Sequence, residues 1–216
     1  HYLAAIIGGD IKPHLDGWRE AALKAGTQPP WRLLAQQQQA FFRAKERLER
    51  LRTPLERVRA HHELSAQLLD ALGYQVRPLL REIGAGPLPL LAAYQRSDGS
   101  PYLWVLAAPS AHGDERDVLS RNLLERQHQI VADLPVGLDV QGVAQQPVEA
   151  LISDAFQTEE PPRFVWVLGD TQWVLADRGK WAEQRMLRFD LTELLGRREP
   201  GALEALCALL HRDTLV

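Results

Sequence analysis

Apolar residues recur every three or four positions through the first third of the chain, which is the spacing of amphipathic helices. This pattern runs from Trp18 to Gly73 and is interrupted at Pro29–Pro30. Strong helix formers fill Gln36–Arg59, and Thr53–Pro54 marks a boundary within them because a residue before proline avoids the α region. The last helix of this region is predicted over His61–Leu72.

Strand-type patterns begin after residue 73. A short strand is predicted over Tyr74–Arg77, and a second strand over Pro87–Arg96 ends at the turn signal Ser97–Ser100. The near-continuous apolar run Tyr102–Ala108 predicts a central strand that is buried on both faces.

A β-hairpin is the clearest local signal in the second half of the chain. Two runs rich in β-branched and aromatic residues, Arg163–Leu168 and Thr171–Asp177, flank the turn pair Gly169–Asp170. We expect this hairpin to belong to the core sheet, with Trp166 or Trp173 packed inside.

Helices and one more strand complete the pattern. Helices are predicted over Asn122–Ala132 and Val148–Phe156, and a short strand over Met186–Phe189. Asp190–Glu193 has the spacing of a capping box, and Pro200 opens an apolar final helix. The succession of elements predicts a mixed α/β fold with helices at its N-terminus.

Composition and charge restrict the classes of protein to which this chain can belong. The 216 residues are 45% hydrophobic and 25% charged, as in ordinary globular domains. The net charge is only -3, so any nucleic-acid contact requires a local basic stripe. The single Cys207 excludes an internal disulfide and fits a reducing compartment. No apolar run approaches the ~20 residues that span a bilayer, so we expect a cytoplasmic protein without membrane contact.

The two ends of the chain suggest a piece of a larger protein. The chain begins at His1 rather than methionine, and its apolar start at residues 1–9 is too short and lacks the basic residues of a signal peptide. Val216 follows closely on an apolar helix. We therefore expect a fragment of a longer chain.

A basic stripe occupies the predicted helices between residues 43 and 59. Its basic members are Arg43, Lys45, Arg47, Arg50, Arg52, Arg57 and Arg59, against Glu46, Glu49 and Glu56. Such a stripe can track phosphates, which makes Arg43, Arg47, Arg50 and Arg57 the candidate DNA-binding residues. The alternative is a solvated helix face with i,i+4 ion pairs such as Glu46–Arg50.

No intact catalytic or metal-binding constellation is predicted. His61–His62 point about 100° apart on a helix and cannot chelate together. The loop His112–Asp117 has the composition of a solvated charged loop more than that of a cation site. Ser110 and Ser120 lack a Gly-x-Ser-x-Gly elbow, and Gly84–Gly86 lacks the fuller pattern of a phosphate loop. No catalytic residue, metal ligand or cofactor is therefore assigned to this segment.

Three short sequence motifs occur in this order along the chain: Leu72-Gly73-Tyr74, Gly169–Leu175 and Met186–Leu195. Together they resemble the N-terminal region of large adenine-specific DNA methyltransferases of type IIG restriction-modification and of DISARM- or BREX-like phage-defence systems. The resemblance covers Leu72 to about Leu210. It implies a restriction-endonuclease-like α-β-β-β-α-β domain of the PD-(D/E)xK type at residues 61–216, behind a helical region at residues 1–60.

The chain departs from this family where the nuclease places its metal ligands. The family has an aspartate in the second strand and Glu-x-Lys at the end of the third, whereas this chain has Pro89-Leu90 and Ala107-Ala108-Pro109. Leucine and alanine offer no oxygen to a metal, so the resemblance implies a degenerate nuclease. It also implies S-adenosylmethionine as the cofactor of the parent chain, although this segment has neither the Asn/Asp-Pro-Pro-Tyr/Phe motif nor a Gly-rich cofactor loop.

Three functional hypotheses follow. The leading one is a non-catalytic N-terminal domain of a bacterial defence DNA methyltransferase, which contacts DNA or braces the methyltransferase and another defence-system subunit. The first alternative is a protein-interaction domain without nucleic-acid contact. The second is a live metal-dependent nuclease that uses other acids, such as Glu82, Asp98 or Asp114.

Overall fold

The computed structural model describes residues 11–132, 134–135, 138–197 and 199–216, so the apolar start at residues 1–9 lies outside the described residues. The helices are α1 (Lys12–Ala25), α2 (Pro30–Gln36), α3 (Gln38–Arg50), α4 (Pro54–Ala71), α5 (Gln141–Gln145), α6 (Val148–Phe156), α7 (Arg178–Trp181), α8 (Leu191–Arg197), α9 (Pro200–Leu210) and α10 (Arg212–Leu215). The strands are β1 (Leu79–Ile83), β2 (Gly86–Leu90), β3 (Ala92–Gln95), β4 (Pro101–Ala107), β5 (Phe164–Leu168), β6 (Gln172–Asp177) and β7 (Met186–Asp190). A 3-10 turn spans Gln127–Ile130.

Proline sets several helix starts. Pro30, Pro54 and Pro200 each occupy the first position of a helix, where a missing N–H costs no hydrogen bond. The predicted boundaries at these prolines are confirmed. The predicted cap of α8 is also present, since the Glu193 amide donates to Asp190 Oδ1 at 3.0 Å.

The strands β3 to β7 form one five-stranded mixed sheet in the order β3-β4-β5-β6-β7. The neighbours β4 and β5 run parallel, and the chain between them contains α6, while the other neighbouring pairs are antiparallel. The strands β1 and β2 form a separate two-stranded antiparallel sheet. The chain therefore has the predicted mixed α/β fold with helices at its N-terminus.

Apolar residues of the five-stranded sheet pack into two clusters, one on each face. Val105 and Trp166 join residues of α1 to α4, α8 and α9 on one face, called here the helical face. Leu106 and Val167 join residues of α5, α6 and the β1–β2 sheet on the opposite face. None of the helices in the described ranges is long and apolar enough to cross a membrane.

The predicted hairpin is confirmed. In β5 and β6, Trp166 lies opposite Leu175, and Leu168 lies opposite Trp173. The two indole side chains are almost completely buried and meet edge to face, with ring centroids 5.1 Å apart. Tyr74 packs on Trp166 from the end of α4, with ring centroids 5.6 Å apart.

The predicted start of the last N-terminal helix is wrong. The helix expected over His61–Leu72 is α4, which already begins at Pro54. The predicted division between residues 60 and 61 falls inside this helix. The helices on both sides of that division contribute to one apolar cluster, which includes Leu34 before it and Leu68 after it.

The predicted strand Tyr74–Arg77 is also wrong. The backbone of Gln75 exchanges two hydrogen bonds with the Tyr94 hydroxyl, which donates to the Gln75 carbonyl and accepts from its amide. The first strand begins only at Leu79. A side-chain hydroxyl thus takes both backbone hydrogen bonds of Gln75, while the Arg77 amide still donates to the Leu91 carbonyl at 2.9 Å.

The single strand predicted over Pro87–Arg96 is divided into β2 and β3. Leu90 packs on the face of α6, whereas Leu91 and Ala92 both pack on the helical face. Two consecutive residues on one face break the strict alternation of a pleated strand. The break lets β2 leave the five-stranded sheet and pair with β1.

The helix predicted over Asn122–Ala132 is reduced to the 3-10 turn Gln127–Ile130. The carbonyl of Arg121 accepts a hydrogen bond from the Val148 amide, and the side-chain amide of Asn122 donates to the Ala144 carbonyl. These long-range bonds hold the backbone extended at the point where the helix was expected to start.

Candidate functional site

Two polar side chains meet at the carboxyl ends of neighbouring strands. Ser110 follows β4, and Asp170 follows β5. Because β4 and β5 run parallel, their carboxyl ends lie at the same edge of the sheet. The Ser110 amide donates to Asp170 Oδ2 at 3.2 Å, and the Ser110 hydroxyl donates to the same oxygen. This edge is where α/β sheets commonly place ligands.

Arg57 connects this sheet edge to the helices. Its Nη2 donates to the Ser110 hydroxyl at 2.8 Å and lies 3.4 Å from Asp170 Oδ2. Its Nη1 donates to the carbonyl oxygens of Leu48 and Leu51 at the end of α3. Only 4% of Arg57 is exposed, so its charge is held inside the protein. The network fixes the ends of α3 and α4 against the carboxyl ends of β4 and β5.

A buried histidine lies beside Asp170. His61 Nε2 is 3.9 Å from Asp170 Oδ1, and His61 Nδ1 is 3.3 Å from the Ser65 hydroxyl. Burial lowers the pKa of His61, because its loss of solvation outweighs the attraction of the Asp170 carboxylate. His61 is therefore neutral at pH 7, and its contact with Asp170 is not an ion pair.

A second guanidinium, that of Arg121, borders a cavity of about 480 Å³ at this sheet edge. The cavity, called here the Arg121 cavity, lies between α3, the loop of residues 110–121 and the turn that contains Asp170. Arg121 is 8% exposed, and its Nη2 donates to the Arg116 carbonyl at 2.8 Å. Its Nε and Nη1 have no hydrogen-bond partner among the described residues. Burial lowers the pKa of Arg121, since its loss of solvation outweighs the attraction of the nearby carboxylates.

Two of the carboxylates around the Arg121 cavity, those of Asp114 and Asp117, are held by other arginines. Arg116 donates to both carboxylate oxygens of Asp114, and Arg188 does the same for Asp117. The hydrogen bonds from Arg116 lower the pKa of Asp114 to about 2. Asp114 is therefore fully ionised at neutral pH, and its charge is balanced by the arginine that binds it.

The structure separates the four arginines that were predicted to bind DNA. Arg43, Arg47 and Arg50 are exposed on α3. Arg57 is buried in the network with Ser110 and cannot belong to a surface stripe. DNA contact by the three exposed arginines stays a prediction.

Ion pairs occupy part of the exposed α3 surface. Arg47 pairs with Glu63 of α4 at 2.9 Å, and Arg50 forms the predicted i,i+4 pair with Glu46 at 3.6 Å. Other exposed arginines of α3, of α4 and of the link between them have no carboxylate partner in the described part of the chain. They are Arg43, Arg52 and Arg59.

The positions at which the resemblance expects metal ligands are apolar, and they lie on opposite faces of the sheet. Leu90 packs on the α6 side and Ala107 on the helical side, and both are buried. A shift of one residue brings Leu106 and Ala108 to the same face as Leu90, but these are also buried and apolar. Neither face offers an oxygen ligand at this point of the sheet.

The alternative acids lie on separate elements. Glu82 belongs to β1, Asp98 accepts hydrogen bonds from Ser100 in the turn before β4, and Asp114 lies in the loop after β4. Across the ranges that the structure describes, no group of three or more His, Cys, Asp or Glu residues is arranged to hold a metal ion.

Sequence reasoning did not single out Asp170 or Arg121, and it set Ser110 aside for lack of a hydrolase motif. The sequence contained one indication that Ser110 and Asp170 would meet. Ser110 and Asp170 each follow a nearly continuous apolar strand, and polar residues at such positions meet when the strands are parallel neighbours. Nothing in the pattern around Arg121 indicates its burial.

Comparison with known proteins supplies no relative from which a function could be transferred. No family model, no curated protein and no solved structure matches this chain. Its function has to be inferred from its own residues and geometry.

Proposed function

We propose that this chain is a non-catalytic, nuclease-like domain of a bacterial defence or restriction-modification DNA methyltransferase. Its role is to contact DNA, or to brace the methyltransferase and a partner subunit. Methyl transfer from S-adenosylmethionine then belongs to other parts of the parent chain. One observation carries the proposal: the order of helices and strands resembles that of restriction endonucleases, while Leu90 and Ala107 stand where the resemblance expects acids.

The arrangement of the strands supports the first half of that observation. A long helix, α4, precedes the sheet, β3 is antiparallel to β4, and a connection containing α6 leads to β5, which is parallel to β4. This order resembles the α-β-β-β-α-β order of restriction endonucleases. It departs from that order in three respects: four strands rather than three precede the connection, the first two of them pair with each other outside the main sheet, and β6 and β7 extend the sheet beyond β5.

The chemistry at the sheet edge supports the second half of that observation, the lack of acids where a nuclease needs them. Leu90, Leu106 and Ala107 cannot hold a metal. The carboxylate nearest to the edge, that of Asp170, already accepts hydrogen bonds from Ser110 and from Arg57. The Arg57 guanidinium lies 3.4 Å from Asp170 Oδ2, and at this distance it repels a divalent cation. The polar groups at this edge therefore stabilise the fold.

The exposed side of α3 and α4 is the surface that best suits DNA. Arg43, Arg52 and Arg59 have no carboxylate partner among the described residues, so their charges are available to phosphates. Because the whole chain carries a net charge of -3, binding should be weak, independent of sequence and steeply dependent on salt.

The triple variant Arg43→Gln, Arg47→Gln and Arg50→Gln should bind duplex DNA more weakly than the wild-type chain. If all three arginines contact phosphates, the slope of log K against log salt should fall by about 2.7, since each B-DNA phosphate contact contributes about 0.9. Filter-binding titrations at several salt concentrations measure both quantities.

The matched control is Lys24→Gln, Arg185→Gln and Arg197→Gln, which removes three exposed charges that are paired with carboxylates on other surfaces. It should leave the salt slope unchanged. If both triple variants behave alike, or if wild-type binding is undetectable at low salt, the protein-interaction alternative is favoured over DNA contact.

We expect no metal-dependent cleavage by this chain. Plasmid DNA incubated with it in magnesium or manganese should stay supercoiled, because Leu90 and Ala107 offer no ligand. Gel electrophoresis separates supercoiled, nicked and linear forms. Nicking that disappears in Glu82→Ala, Asp98→Ala or Asp114→Ala would establish the live-nuclease alternative instead.

A further inference from the structure

The strand β7 is an outer strand of the five-stranded sheet, so one row of its backbone N–H and C=O groups faces away from β6. The Leu191 amide, directly after β7, donates to the Thr171 carbonyl at 2.8 Å. Because hydrogen bonding alternates along an antiparallel pair, every second residue of β7 directs its backbone groups outward, with Arg188 at the centre of this row. Among the described residues, none bonds to the outward N–H and C=O groups of Arg188. The edge of β7 is therefore free to pair with another strand.

An apolar side chain projects from this edge. Leu187 lies opposite Leu175 of β6, which places it on the helical face, and 46% of Leu187 is exposed. Natural sheets commonly protect an outer strand with charges or proline, and an apolar side chain on such a strand favours association. Leu187 thus adds an apolar contact to the free backbone groups of β7.

A cleft of about 270 Å³ borders β7 on the helical face. Phe189 of β7, Leu194 of α8 and Ala202 of α9 form its apolar part, and charged residues of β7, of α8 and of the link to α9 also line it. The cleft, called here the Phe189 cleft, is large enough for a leucine side chain. One strand therefore carries an exposed leucine and, two residues later, a cleft that can receive one.

We propose that two copies of this chain associate by antiparallel pairing of their β7 strands, with Leu187 of each copy entering the Phe189 cleft of the other. A register centred on Arg188 is the one that pairs all five residues of β7. In this register Leu187 lies opposite Phe189 of the second copy and on the same face, with Cβ atoms about 5 Å apart. The same contact occurs twice, as twofold symmetry requires. A second copy fits this edge because β7 supplies both the leucine and the cleft.

The charges of β7 are compatible with this register. The two Arg188 residues lie opposite each other on the face of α6, and like charges in that position destabilise a strand pair. Each Arg188, however, already donates to both carboxylate oxygens of Asp117 in its own chain. Asp190 of the second copy is the diagonal neighbour of Arg188 on the same face. The carboxylates of Asp117 and Asp190 from both copies therefore balance the two guanidinium groups.

The association goes beyond the proposed function and does not depend on it. Five paired residues and two leucine contacts make an interface at the small end of specific protein contacts, so we expect a micromolar Kd.

Sedimentation velocity of the whole chain over a range of concentrations tests the association. The mass should rise with concentration from 24.3 kDa to twice that value. Leu187→Glu should weaken the association at least about tenfold, because it places a carboxylate in each apolar cleft. The matched control Leu23→Glu changes a leucine of α1 that is 83% exposed, and it should associate like the wild-type chain.

Cross-linking identifies the surface that is used. Arg188→Cys places two thiols across the twofold axis, with Cα atoms about 5.5 Å apart, so a short bismaleimide should join the two copies covalently. Leu23→Cys should not be joined in this way. The wild-type chain gives the background, since its Cys207 is buried.

The wild-type mass decides the matter even if Leu187→Glu does not fold. A mass that stays at 24.3 kDa throughout the micromolar range overturns the proposal. Association that a folded Leu187→Glu variant retains, or that Leu23→Glu loses to the same extent, overturns it as well. Cross-linking of Arg188→Cys that is no stronger than that of Leu23→Cys would show that the copies meet through another surface.

Discussion

Replacing Trp166 with alanine is expected to lower the free energy of unfolding by about 3–5 kcal/mol. Trp166 is completely buried between Tyr74 and Trp173 in the apolar cluster of the helical face. The deletion removes this contact area and leaves a cavity that the surrounding structure fills only in part. The expected loss is a large share of a domain stability of about 5–15 kcal/mol. Urea unfolding at 25 °C measures it, and Trp173→Ala should behave similarly.

Two further substitutions sharpen this test. Trp166→Phe keeps most of the apolar surface and removes an indole N–H that has no partner among the described residues, so it should cost less than Trp166→Ala. Leu23→Ala changes a side chain that is 83% exposed and should alter stability by no more than about 0.5 kcal/mol. Unchanged stability in both tryptophan-to-alanine variants would contradict the position of the hairpin in the core.

Replacing Arg57 with methionine is expected to lower the free energy of unfolding by about 3–5 kcal/mol. Methionine keeps an unbranched apolar stem but leaves the carbonyls of Leu48 and Leu51 without their donor. It also leaves the partly buried Asp170 carboxylate without its arginine. Urea unfolding measures the loss, and circular dichroism verifies that the variant is folded before unfolding.

A double-mutant cycle separates the ion pair from the other contacts of Arg57. The variant Arg57→Met with Asp170→Asn should lose less stability than the two single variants added together, by about 0.5–3 kcal/mol. Arg185→Met removes an exposed arginine paired with Glu183 and should cost no more than about 0.5 kcal/mol. A loss of less than about 1 kcal/mol for Arg57→Met would mean that the network does not hold α3 and α4 to the sheet.

The local elements of this fold were predictable because their causes are local. The hairpin β5–β6 follows from two runs of β-branched and aromatic residues around Gly169–Asp170. The starts of α2, α4 and α9 follow from prolines that cannot occupy a helix interior. The cap of α8 follows from an aspartate three residues before a glutamate.

The wrong predictions concern segments whose backbone N–H and C=O groups form hydrogen bonds with residues far away in the sequence. Asn122–Ala132 has a helical pattern, but the carbonyl of Arg121 accepts from the Val148 amide, so no regular helix starts there. At Gln75, within the segment Tyr74–Arg77, hydrogen bonds to the Tyr94 hydroxyl replace those of a strand. A pattern read within a short window contains no information about such partners.

By itself, the sequence determined the mixed α/β class, the hairpin and the absence of acids at Leu90 and Ala107, because these depend on residue type and near neighbours. Only the tertiary structure decided that Arg57 is buried, rather than exposed with Arg43 as part of the predicted basic stripe. It also brought together Arg57, Ser110 and Asp170, which are 53 to 113 residues apart along the chain. The physical reason is the parallel pairing of β4 with β5, which places the carboxyl ends of both strands at one edge of the sheet. The helices that pack on this sheet place Arg57 at the same edge.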